Sequence, residues 1–498
     1  MSVIIGEILT FPHGNDKVKL RVFGDEFYAR YESLDGYTAI YDNDLKKYCF
    51  ADLHDGKFLS TGKNITGPVP KGIPRHLKED LPVKTKKFTK RYNKIRLNTT
   101  DDNMEKNNVL QDVDTTEDKT SGPNNGLLDG IAITEGNVLG LTVLVEFADI
   151  SSSVTQNDVD EMLNGENYNK NGNFCSVREY FRIMSTGKLN YRNLVVGPIK
   201  LSQNQEYYKT TKFVEEALDI VVNDLNVDLS QFDSKGRGIV DAINFLYAGR
   251  TLYEGELWPH NSIINLEYNG MKTHFYLLTS LGRNSGDLSI GTFCHETGHL
   301  LCRFPDMYDY GKRDNDFQKS QGIGGYCLMG SGNHLNNGLT PSPVCAYLRD
   351  LAGWCENKIV LTNGMFTAKH GDYNTVMRYN TDKTNEYFLV ENRTQIALDR
   401  YLPSSGLAIY HCDTKGSNEY QDGTPSKHYQ CALLQADGNL DLEQNHNFGD
   451  SGDLFREVTG VALSADTSPS SKQWDRGDSG LTLLDITAPN ENIEFKVQ

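Results

Sequence analysis

Nowhere in the 498 residues are two cysteines separated by just two others, so the paired-thiol spacing of a cysteine zinc knuckle is missing. The nine cysteines (Cys49, Cys175, Cys294, Cys302, Cys327, Cys345, Cys355, Cys412 and Cys431) are an odd number, which leaves at least one thiol free or bonded to another chain. Most are expected to be reduced core residues. Basic side chains are in deficit: 50 Lys and Arg stand against 67 Asp and Glu, a net charge of -17. That balance argues against a nucleic-acid partner, because phosphate binding needs a basic footprint. No run of about 18 apolar residues occurs, so no membrane span is expected. The opening MSVIIGEILTFPHGND has no basic stretch and breaks its apolar run at Gly6 and Glu7, so no signal peptide is visible. No internal repeat of fixed period is present.

What is there reads as a soluble α+β protein of about three domains. Residues 1–83 carry short strand-like pieces, VKLRVF (18–23) and YTAIY (37–41), between the turn signals Gly24-Asp25, Asp35-Gly36 and Asp55-Gly56. They predict a small β-rich segment. Composition then shifts. Residues 84–96, KTKKFTKRYNKIR, hold seven Lys or Arg, and 101–135 is polar with nine acidic residues. Together, 84–136 predicts an extended, exposed linker, either a plain connector or an activation site open to trypsin-like cleavage. Order resumes in 137–356. LGLTVLVEFAD (139–149) predicts a buried strand, and TKFVEEALDIVVNDL (211–225) a helix with Val214, Ala217, Leu218, Val221 and Leu225 on one face. IVDAINFLYAG (239–249) and HFYLLTSLG (274–282) predict two further strands, the second at the edge of the sheet. Residues 357–498 return to strands and turns and predict a β-sandwich-like domain.

One pentamer carries chemistry. His295-Glu296-Thr297-Gly298-His299 is an HExxH, and residues i and i+4 of a helix share a face, so both imidazoles can address one metal. Glu296 follows the first ligand, where it can act as general base and acid on a water whose pKa zinc lowers to about 7. Gly298 inside a helix costs about 1 kcal/mol relative to Ala, so something must approach closely there. The helix is expected to end at Arg303-Phe304, before Pro305. Pro305-Asp306-Met307-Tyr308-Asp309 then offers carboxylates for a third ligand: Asp306, with Asp309 as the alternative. GIGGYCLMGSGN (322–333) is a Gly-rich turn around Met329 that resembles the Met-turn beneath metzincin zinc sites.

HETGH, PDMYD, GGYCLMGSGN and PSPVCAYLRDLAGW (341–354) follow the order found in the immune inhibitor A family of zinc metallopeptidases, which this chain resembles over most of its length. GDEFYARYESLDGYTAIYD (24–42) looks like that family's pro-segment, and SVREYFRIMSTGKL (176–189) like its early catalytic segment. EYFLVENRTQ, SGLAIYHCD and residues 433–455 look like its C-terminal blocks. The resemblance implies a metzincin-like zinc endopeptidase acting on protein or peptide substrates, made as a zymogen, extracellular, with one catalytic zinc, and expected to be a monomer. The chain departs from the family in two places. One more residue than usual separates His299 from Asp306, with Cys302 near the expected glycine. The family's calcium-loop-like stretch reads Asp233-Ser-Lys-Gly-Arg-Gly-Ile-Val-Asp241, where Lys235 and Arg237 replace acids, so a calcium ion there is unsupported. Those shifts leave open an alternative: an inactive relative serving as a surface or binding protein.

Other residues keep two readings. His260, in Trp258-Pro259-His260, either lines the cleft or is a satisfied buried histidine. His334 either donates to an oxyanion or decorates a surface loop. Tyr308, Tyr310 and Tyr326 are further cleft candidates. Cys49 suits either a cysteine switch or an ordinary strand. The acidic residues Asp437, Asp441, Glu443, Asp450 and Asp453 suit calcium or solvated turns.

Overall fold

Side chains alternate in and out along the second strand, as the sequence pattern demands: Val18, Leu20 and Val22 are buried, Lys17 and Lys19 are exposed and Arg21 is half-buried. The computed structural model describes residues 4–25, 27–96, 126–309, 311, 319–419 and 423–498. Its N-terminal part is a six-stranded antiparallel meander of β1 (Ile4–His13), β2 (Asp16–Gly24), β3 (Ala29–Glu32), β4 (Thr38–Asp42), β5 (Lys47–His54) and β6 (Lys57–Asn64). The apolar core of this sheet, with Phe11, Leu20, Val22, Tyr48 and Phe50, also takes in Trp258 from far along the chain.

The basic segment is not extended. Leu81–Arg96 forms helix α1, with Pro82 in the first turn, where its missing N–H is no loss, and the Asp80 carbonyl accepting from Val83 and Lys84. Phe88 is buried against Phe27, ring centroids 5.0 Å apart. The Arg91 guanidinium donates to the Glu256 carboxylate and the Gly255 carbonyl. Lys86 and Lys90 are exposed, and Lys87 joins the anchored side, its ammonium paired with the buried Glu79 carboxylate at 2.7 Å. Residues 97–125 of the expected linker lie outside the described residues.

The middle of the chain builds a five-stranded sheet from β7 (Gly136–Glu146), β8 (Leu189–Lys200), β9 (Ile243–Tyr247), β10 (His260–Ile263) and β13 (Phe275–Ser280), in the order β10-β13-β9-β7-β8. A two-stranded excursion, β11 (Glu267–Tyr268) and β12 (Met271–Lys272), interrupts it. β13, β9, β7 and β8 are parallel neighbours, and β10 closes the edge antiparallel. The strand expected at the edge, 274–282, is thus internal, and the shorter β10 takes that place. Both faces are covered, which is why β7 reads as a continuous apolar run. One face meets helices α2 (Gln156–Asn164), α3 (Val177–Met184) and α5 (Gly291–Leu300); the other meets α4 (Val214–Asp219). α4 continues as a wider turn over Ile220–Asp224, and its buried residues end at Val222. Leu225, expected among them, is exposed.

After α6 (Ala346–Leu351) come two sheets that share a core. The first has β14 (Asn357–Val360), β16 (Thr375–Asn380), β17 (Glu386–Asn392), β18 (Leu407–Asp413) and β19 (Cys431–Leu433). The second has β15 (Gly364–Lys369), β22 (Asn492–Val497), β21 (Leu483–Ile486) and β20 (Val458–Leu463). In β17, Phe388 and Val390 face the second sheet, whereas Tyr387 and Leu389 join the core that surrounds α5. The core is continuous across residue 357, so β17 and β18 are a middle layer of the molecule. The whole is a mixed α+β fold in which strand outweighs helix. Among the described residues no helix is long and apolar enough to cross a membrane.

Candidate metal centre

Helix α5 is buried along nearly its whole length, including His295, Glu296 and His299, none of which has accessible surface. A Cβ on Gly298 would lie 2.6 Å from the sulfur of Met329. The close approach implied by a mid-helix glycine is therefore made by the 322–333 turn, whose methionine packs beneath the HExxH. The same turn aims the first imidazole: Nδ1 of His295 lies 2.7 Å from the Leu328 carbonyl. Nδ1 of His299 lies 2.6 Å from the Phe304 carbonyl. A carbonyl only accepts, so each Nδ1 carries the proton and each Nε2 presents a lone pair.

Those two lone pairs face one another and a carboxylate. Nε2 of His295 and of His299 are 3.2 Å apart, and each is 3.2 Å from Oδ1 of Asp306. Burial pushes the His299 imidazole down to about 4 against the opposing pull of Asp306. The group His295, His299 and Asp306 could hold a metal ion: three acceptor atoms converge on one point in the protein interior.

The stretch between His299 and Asp306 is taken up by the helix exit. α5 ends at Leu300, three residues earlier than expected, and the chain turns through Leu301 and Cys302. Phe304 N–H closes the turn onto the Gly298 carbonyl (3.1 Å), one residue wider than the usual six-to-one closure. The left-handed position falls on Arg303 (φ 55°) rather than on Cys302. For a residue with a Cβ that conformation costs about 1–2 kcal/mol. Arg303 offsets it with a side chain that donates to the carbonyls of His299 (2.6 Å) and Asp129 (2.9 Å) and lies 3.8 Å over the Phe275 ring.

Other expected residues fall elsewhere. Asp309 is outside the metal group; its carboxylate accepts from Gly311 N–H (2.7 Å) in its own turn. His260 is buried on β10, its ring nitrogens 2.5 Å from the Trp258 carbonyl and 3.4 Å from the Tyr276 hydroxyl, with burial pushing it down to about 4. That is a satisfied core histidine. Its neighbour Asn261, which sequence reasoning missed, donates to the Glu296 carbonyl at 3.2 Å and ties the edge strand to α5. His334 is half-buried beside Asn333, and burial together with nearby His295 pushes it down to about 4. Tyr308 is buried on the metal loop, Tyr326 donates to the Asp453 carboxylate, and Tyr310 lies outside the described residues. Cys49 is buried on β5 and does not belong to the metal group. In the 233–241 loop the Arg237 guanidinium and the Ser234 N–H donate to the Asp241 carboxylate (2.8 and 2.6 Å), and the N–H groups of Lys235 and Gly238 donate to that of Asp233 (3.3 and 2.7 Å).

Neither a protein-family model nor a curated protein matches the chain.

Proposed function

We propose that this chain is a zinc endopeptidase. The observation that carries the reading is the triangle of acceptors, His295 Nε2, His299 Nε2 and Asp306 Oδ1, with edges of 3.2 Å. Ligands at about 2.0–2.1 Å from a tetrahedral zinc stand about 3.3 Å apart, and two imidazoles with one carboxylate are a zinc donor set. Calcium asks for six to eight oxygens at about 2.3–2.6 Å, which two imidazoles do not suit. When bound, the ion supplies Lewis-acid polarisation of a carbonyl and of water.

The chain's own residues do the rest. Glu296 follows His295 on the buried helix and takes a proton from the attacking water, then returns it to the departing amine. His334, kept neutral by burial, would serve as a donor to developing negative charge. Edge strand β10 offers its outer side to an extended peptide, a mode that gives affinity without sequence specificity. α1 packs beside β10, which fits a zymogen whose N-terminal segment covers the substrate strand. Met329 holds α5 from below.

The test is metal analysis paired with hydrolysis of casein. One equivalent of zinc, with activity lost in Glu296→Ala and zinc retained, supports the proposal. A protein without zinc, or activity indifferent to Glu296→Ala, overturns it. Nicking between residues 84 and 136 is expected to raise activity, and equal activity before and after nicking would count against latency.

A further inference from the structure

The backbone N–H of Asp306 has an unusual partner. The metal loop runs in no strand or helix here, so the buried amide needs a partner outside regular secondary structure. It is Glu419, whose Oε1 lies 2.9 Å away, from 113 residues further along the chain. Both residues are buried.

Glu419 is itself held. The next residue back, Asn418, donates to the Cys431 carbonyl (2.8 Å) and the Met307 carbonyl (3.4 Å) and accepts from Cys431 N–H (3.0 Å). Ser417 N–H donates to the His428 carbonyl at 2.9 Å. The loop between β18 and β19 is thus sewn to β19 on one side and to the metal loop on the other. The contact is charge-assisted, stronger than a neutral one, and it fixes the peptide plane from which the Asp306 side chain springs.

Resting on the metal-site reading above, we infer that Glu419 is the positioning residue for the third ligand, so that metal retention depends on the loop of the C-terminal sheet. Partners that orient a ligand are worth about 10- to 100-fold in metal affinity. Zinc affinity by chelator competition on the full chain is therefore expected to fall about 10- to 100-fold in Glu419→Ala. Glu419→Gln keeps an acceptor in place and restores most of that loss. The visible spectrum of the cobalt-substituted protein should change in Glu419→Ala and match wild type in Glu419→Gln, which a merely structural role would not require.

Unchanged affinity and spectrum in Glu419→Ala would overturn the inference, as would a Glu419→Gln variant no better than Ala. If Glu419→Ala does not fold, Glu419→Asp decides: one methylene shorter, it falls short of the Asp306 amide and should lose affinity, and unaltered affinity overturns the inference. A wild-type protein that takes up no zinc would instead overturn the reading of the site, a distinct failure.

Discussion

Two groups of three metal-ligand side chains occur among the described residues, and they are built in opposite ways. His295, His299 and Asp306 are buried, and their outer nitrogens are committed to carbonyls, so three acceptor atoms turn inward. Asp437 is exposed and Asp441 and Asp450 are half-buried, and each carboxylate already serves a turn: Asp437 accepts from Asn439, Asp441 pairs with His446 at 2.9 Å, and Asp450 accepts from Gly452 N–H. Clustering of acids alone thus separates little. Burial together with inward-facing acceptors is the feature that asks for a cation.

The comparison breaks most sharply at Glu296. Its replacement by Ala should lower casein hydrolysis by about 10²- to 10⁴-fold while zinc stays bound, whereas Asp441→Asn should leave the rate as in wild type. Next in size is metal linkage. Zinc at about 100 times its dissociation constant should stabilise metal-free protein by about 2.7 kcal/mol in thermal unfolding, and calcium at millimolar concentration should add nothing. A calcium-dependent rise lost in Asp441→Asn would reverse the contrast between the two groups. Gly298→Ala places a methyl against the Met329 sulfur and should cost about 1–3 kcal/mol, measured by urea unfolding. Asp441→Asn itself should stay within about 0.5 kcal/mol.

A smaller, pH-dependent effect concerns the loop that carries Glu419. His428 points Nδ1 at the Asp413 carboxylate (2.8 Å) and Nε2 at the Pro425 carbonyl (2.7 Å). Both partners accept, so only the imidazolium satisfies both. Burial pulls its pKa down, and Asp413 and Pro425 outweigh that, leaving it raised. A group with a raised folded pKa contributes stability that is fully present below about 6.5, its unfolded value, and fades as pH rises through the folded value. The stability gap between wild type and His428→Gln should therefore be widest near pH 5.5 and narrow above pH 8; a gap that widens with pH would refute the assignment.

The parts legible in the sequence are those with local signatures. Strands β2, β9, β13, β17 and β18 follow from alternation or apolar runs, and the HExxH pair from helical spacing. Asp306 was legible as a carboxylate just beyond the helix stop. Helix α1 was not, because its lysines resemble linker composition; yet Asp80 and Pro82 form a helix-start signal, and Phe88 marks the buried side. The edge role of β10 was hidden, since strand order depends on pairing between distant segments. Glu419 lies 113 residues from its partner in a polar loop with no pattern, and only the folded chain brings the two together.

The three tryptophans happen to report on three separate junctions. Trp258 sits in the core of the N-terminal meander, Trp354 lies edge-on to Phe304 at the exit of the HExxH helix, and Trp474 is stacked between His411 and His428. Intrinsic fluorescence of single-tryptophan variants would therefore follow, without any added label, departure of the N-terminal sheet as a red shift at Trp258. It would follow loosening of the metal loop at Trp354, and protonation of the histidine stack as quenching at Trp474.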